Sequence, residues 1–74
     1  MNLRDLRYLV AVADLRSFNQ AAEQCFISQP TLSMQIKKME ESLGVVIFER
    51  NNKKVLPTEL GQHIIASARR ILLE

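Results

Sequence analysis

Seventy-four residues make one small domain, near the lower limit at which an apolar core sustains itself. Hydrophobic residues are 47% of the chain but aromatics only 5%, so any core is aliphatic, and the formal net charge of +2 is only mildly basic. One cysteine and one histidine exclude an intrachain disulfide and a cysteine-cluster zinc site, and no apolar run approaches the ~20 residues of a membrane span.

A lone cysteine suits a reducing cytosol. Arg4, Asp5 and Arg7 stand where a secretory leader needs an apolar stretch, so the expected location is cytoplasmic. Asn2 caps a first helix, and Asp5, three residues on, favours its positive end. Leu3, Leu6, Leu9, Val10 and Ala13 keep helical spacing, with Arg4, Arg7 and Asp14 outside. A short turn at Leu15–Arg16 follows. Ser17 and Gln20 then have the spacing of a capping box, and Phe18, Ala21, Ala22 and Cys25 share one face of a second helix. The two alanines let a neighbouring helix come close. A tight turn at Phe26–Ile27 leads to a third helix over residues 28–43, and this pair is a helix-turn-helix arrangement.

Leu32, Ile36, Met39 and Leu43 form the inner face of that third helix, while Pro30, Met34, Lys37 and Glu41 lie opposite, flanked by Thr31, Ser33 and Lys38. Ser28 is a good N-cap, and Pro30 is tolerated in a first turn because its missing N–H would have no helical partner. No Glu or Gln at Thr31 closes a capping box, so the helix start keeps spare N–H donors and a positive dipole end. No acidic residue occurs between Glu23 and Glu40. A helix start of that kind suits a phosphate, and short polar side chains behind it suit base edges in a major groove.

Gly44 is the expected C′ residue. Val45 to Phe48 is a short β-rich run, Glu49 to Lys54 is polar with Asn51–Asn52 suited to a tight turn, and Val55–Leu56 is apolar again. These residues predict a β-wing whose tip carries Arg50, Lys53 and Lys54. Pro57 stops the strand and Thr58 caps a last helix with an apolar stripe of Leu60, Ile64, Ile65, Ala68, Ile71 and Leu72. The stripe is longer than a small domain requires, which predicts a surface for a second copy of the chain. It is still running at Leu72, so the chain is expected to be part of a longer protein. The predicted fold is mainly α: a winged helix-turn-helix over residues 1–57, with a three-helix core and short hairpin wing, then a linker and dimerisation helix over 58–74.

With Phe18, Ala21–Ala22, Ser28-Gln29-Pro30, Ser33, Gln35-Ile36, Glu40, Leu43-Gly44, Phe48-Glu49-Arg50 and Thr58-Glu59-Leu60-Gly61 in place, the chain resembles the N-terminal domain of LysR-type transcriptional regulators over essentially its whole length. The stretches MNLRDLRYLVAVA, AAEQC and SQPTLS look like the peroxide-sensing branch of that family. The resemblance implies a winged helix-turn-helix, a long linker helix that forms a homodimer, and a C-terminal effector-binding domain beyond this chain. It also implies homotetramers on interrupted palindromes of double-stranded DNA, acting as activators and repressors. Carried over position by position, the DNA-contacting places fall on Ser28, Gln29, Pro30, Thr31, Ser33, Met34 and Lys37, and in the wing on Arg50 and Lys53. Many relatives have Arg where this chain has Met34. Arg could reach guanine or a phosphate, whereas Met makes only apolar contact, for instance with a thymine methyl.

The plainer readings are these. The outer face of the third helix could be an ordinary solvated surface, and the basic wing a soluble hairpin tip. Arg4 and Arg7 are candidate phosphate contacts. Cys25 lies on an apolar stripe with no cation near it in sequence, as a small buried hydrophobe does. His63 has no Cys or His partner for a metal or a catalytic dyad. Glu40 and Glu41 point about 100° apart on a helix, so they do not form an acid–base pair, and Glu40 is better placed to brace the wing or an Arg. No metal site, cofactor, membrane contact or enzymatic activity is expected. The rival to DNA reading is a helical module that docks protein through Met34 and the last stripe.

Overall fold

A computed structural model describes residues 1–51 and 54–73; Asn52 and Lys53, expected in the wing tip, and Glu74 lie outside the described residues. The elements follow the order α1 (Leu3–Leu15), α2 (Phe18–Cys25), α3 (Gln29–Leu43), β1 (Phe48–Arg50), β2 (Val55–Pro57) and α4 (Glu59–Leu73).

Local side-chain chemistry starts each helix. Asn2 Oδ1 accepts from the Asp5 N–H at 2.9 Å and the Asp5 carboxylate accepts from the Asn2 N–H at 3.3 Å, so the reciprocal capping box closes here. At Ser17, where the box was expected, the cap is the hydroxyl accepting from the Gln20 N–H at 3.1 Å. A carboxylate is the stronger acceptor for the return bond, which favours Asp5 over Gln20 in that role. Three helices end in left-handed caps: Arg16 (φ 52°), Phe26 (φ 59°) and Gly44 (φ 70°).

α1 packs against α2, α3 and α4, so it buries more than one stripe. Tyr8, Leu9, Ala11 and Val12 are its buried residues, while Leu6, Val10 and Ala13 sit half-buried at the margin and Leu3 is exposed. Burial on α1 thus extends beyond the single stripe that the sequence predicts. Phe18, Ala21 and Ala22 of α2 meet Leu32, Ile36 and Met39 of α3 in the same core. Ala22→Leu is expected to destabilise the domain by ~1–3 kcal/mol through overpacking, read as a lower melting temperature. Leu43 was expected on the inner face of α3 but is 42% exposed. The left-handed Gly44 turns the chain away at that point, with the Val45 N–H bonded back to the Glu40 carbonyl at 3.1 Å.

The wing is an antiparallel pair with Phe48 opposite Pro57, Glu49 opposite Leu56 and Arg50 opposite Val55. The strand begins at Phe48 rather than Val45, and Glu49 and Arg50 belong to the ladder rather than the tip. Pro57 is the last residue of β2, where a missing N–H is tolerated. Thr58 then joins wing to helix. Its hydroxyl donates to the Val46 carbonyl at 2.6 Å and accepts from the Gly61 N–H at 2.9 Å, and its N–H donates to the Ile47 carbonyl at 2.8 Å. Gly61 lies directly on that carbonyl: a Cβ there would be 2.9 Å from the Ile47 carbonyl carbon and nearer still to its oxygen.

α4 is shared between two tasks. Ile65 and Ala68, placed by sequence on a dimerisation stripe, are 5% and 1% exposed and belong to the domain's own core. They are turned inward because α4 lies along α1. Leu60 and Ile71 remain exposed, and Ile64 and Leu72 are half-buried. Among the described residues no helix is long and apolar enough to cross a membrane.

Candidate nucleic-acid interface

The start of α3 is ordered by its own side chains. Ser28 Oγ accepts from the Thr31 N–H at 3.2 Å and its hydroxyl donates to Thr31 Oγ1 at 2.8 Å. One turn on, Gln29 Nε2 donates to Ser33 Oγ at 2.7 Å. A hydroxyl that accepts one bond keeps its proton for another partner. Thr31 and Ser33, on opposite flanks of the exposed face, thus each keep a hydroxyl proton to donate, and Gln29 keeps an amide oxygen and a second N–H. Pro30, Thr31, Met34 and Lys37 are exposed, with Met34 at 55%, while Leu32, Ile36 and Met39 anchor the opposite face in the core. The residues Ser28 to Lys37 singled out by sequence therefore form one ridge, held rigidly from behind.

The wing is fastened to this ridge by Glu40. One carboxylate oxygen accepts from the Ile47 N–H at 2.8 Å and the Phe48 N–H at 3.2 Å, and the other lies 4.0 Å from the Arg50 guanidinium. Those amide bonds explain why the strand does not start at Val45: the main chain at Ile47 is bonded to a side chain instead of a ladder. Arg50 also stacks 4.2 Å above the Phe18 ring, which meets Phe48 edge-on at 6.3 Å and 79°. Strand alternation puts Arg50 on the same side as the buried Phe48, facing inward. The residue expected to touch DNA from the wing is thus engaged with Phe18 and Glu40, its side chain 40% exposed. A period-two reading from Phe48 carries that signal in the sequence. Glu40→Ala leaves two part-buried amide donors without their acceptor and is expected to cost ~1–3 kcal/mol in chemical denaturation, with Glu40→Gln recovering part of it.

Lys53 lies outside the described residues. Arg4 and Arg7 are exposed on α1, and His63 is exposed on α4. Cys25 is half-buried, and that burial pushes its thiol pKa up, opposite to what a reactive thiolate needs. No cluster among the described residues has the His, Cys, Asp and Glu donors to hold a metal ion.

Comparison with known proteins gives a consistent picture. Over its full length the chain is 53% identical to the DNA-binding transcriptional dual regulator OxyR of Escherichia coli (strain K12), of which it spans 24%. It therefore covers about a quarter of the length of the curated relatives it matches. A full-length OxyR variant from Pseudomonas aeruginosa superposes with a TM-score of 0.92 at 49% identity, covering 97% of this chain and 24% of that one. The BenM DNA-binding domain, solved in complex with its benA site 1 DNA, gives 0.93 at 43% identity over 97% of this chain and 81% of that one. The bacterial regulatory helix-turn-helix model of the lysR family matches residues 3–62. Sharing that family's sequence pattern over most of its length and its winged fold, the chain belongs to the lysR family of bacterial regulatory helix-turn-helix proteins.

Proposed function

We propose that this chain reads double-stranded DNA sequence-specifically as the operator-binding part of a bacterial transcriptional regulator acting in the cytoplasm. The observation that carries the reading is the preorganised, carboxylate-free ridge at the start of α3, on a fold matched by a relative solved in complex with DNA. α3 enters the major groove with Ser28, Gln29, Pro30, Thr31, Ser33, Met34 and Lys37 against bases and backbone, while the wing, with Lys53, lies at the minor groove or backbone. Met34 supplies apolar contact, as to a thymine methyl, in place of a guanine-reading cation. Two copies pair through α4, using Leu60, Ile64, Ile71 and Leu72, and set two α3 helices about 34 Å apart on an interrupted palindrome. The longer protein assembles as a tetramer.

The test is fluorescence anisotropy of the purified chain with a labelled palindromic duplex selected from a randomised pool, at several salt concentrations. Binding is expected to weaken log-linearly with salt and to exceed binding to a scrambled duplex. No binding to any duplex at low salt would favour the protein-docking module instead.

A further inference from the structure

We propose that the groove between the α1–α2 turn, the start of α3 and the wing is a phosphodiester seat for the bound DNA strand, with Arg16 and Lys54 as its cations. The proposal rests on the DNA-reading function argued above. The groove has a volume of about 300 Å³, and Arg16, Asn19, Gln29, Asn51 and Lys54 supply its polar lining. No carboxylate is among its described lining residues.

Its two cations come from elements far apart in the chain, and both are carried on fixed backbone. Arg16 is the left-handed cap of α1, its N–H bonded to the Val12 carbonyl at 2.8 Å. The Lys54 N–H donates to Asn51 Oδ1 at 2.8 Å, and the Asn51 N–H donates to the Lys54 carbonyl at 3.1 Å. Among the described residues neither cation has an acidic partner, whereas Arg50 approaches Glu40 and Arg69 is bonded to Asp14 at 2.6 Å. Two unneutralised cations with amide groups beside them match a phosphate, which takes several donors at once and carries one charge. Gln29 lines this groove and is also bonded into the reading ridge through Ser33. The groove therefore opens beside the surface that faces base edges, where the backbone of the same strand must pass.

The test compares the wild-type chain with Arg16→Asn and Lys54→Gln. Asn tolerates the left-handed backbone at position 16, so the first change removes the cation without new strain. Binding to the pool-selected duplex and to its scrambled counterpart is measured across a salt series, and thermal melting confirms that both variants fold. Because the two cations share one phosphate, the two substitutions together are expected to reduce the salt slope by about 0.9, each contributing part of it. Each is expected to weaken both duplexes by the same factor. Scanning the duplex with single methylphosphonates should then reveal one position that weakens the wild type most and weakens Arg16→Asn and Lys54→Gln less. Unchanged slopes in both folded variants would overturn the groove while leaving the reading ridge intact. So would a variant that lost preference for the selected duplex at constant slope, because its side chain would be touching bases. A wild-type chain that bound no duplex would remove both proposals together.

Discussion

Ser33→Glu is expected to weaken duplex binding by about 100-fold or more, equivalent to ~3 kcal/mol, because like charges brought together at an interface cost several kcal/mol. Ser33 lies one turn inside the ridge, half-buried, with its oxygen accepting from Gln29. A carboxylate there would stand in a face that has no acid between Glu23 and Glu40 and would meet DNA phosphates and acceptor edges. The fold has no reason to suffer: Glu is a good helix former and its carboxylate can still accept from Gln29. Anisotropy and thermal melting on the same sample separate the two effects. Retained binding at an unchanged melting temperature would place the duplex on some other face of the domain. Ser33→Ala is the companion measurement, since it removes the hydroxyl donor without adding charge and should show a smaller loss.

Gly61→Ala is expected to destabilise the domain by about 3 kcal/mol, at the upper end of what overpacking costs. For a domain of this size that is a fall in melting temperature of roughly 12–24 °C. The reason is the nature of the obstacle. The added Cβ meets the main-chain carbonyl of Ile47 rather than the end of a side chain, so no rotamer change relieves it. The same carbonyl accepts the Thr58 N–H at 2.8 Å, so pushing it away also loosens the joint between wing and α4. A melting temperature within a few degrees of wild type would show that this joint yields. Binding measured well below the transition should be less affected than stability, because Gly61 is a buried residue of α4 and supplies no side chain to the ridge.

Much of this architecture is legible in the chain because its signals are local. Caps at Asn2, Ser17, Ser28 and Thr58 and the stop at Gly44 depend on neighbours within a few residues, and each helix start or end falls where they put it. The α3 face is legible for the same reason, since one helical period sorts Leu32, Ile36 and Met39 from Pro30, Met34 and Lys37. What escaped was set by tertiary partners. Tyr8, Ala11 and Val12 are buried because α1 is surrounded by three helices, which no single stripe announces. Ile65 and Ala68 look like spare apolar surface until α1 is laid against them. The inward turn of Arg50 needs the strand register, and the groove at Arg16 needs a wing residue far along the chain to complete it. Glu40 is intermediate: its bracing role was readable, but its two amide partners were not.

Those two amide bonds also bear on motion. The Ile47 and Phe48 N–H groups lead into the wing, yet their acceptor belongs to α3. Their hydrogen exchange should follow the opening of the helix and not the fraying of a short hairpin. Under the proposed DNA-reading function, helix and wing would meet a duplex as one stiff caliper, with a set span between its jaws. A sequence whose groove widths suit that span binds without distortion; any other must bend or twist its own base steps to fit. Rigidity inside the protein would in this way be felt as a preference at base pairs that no side chain touches.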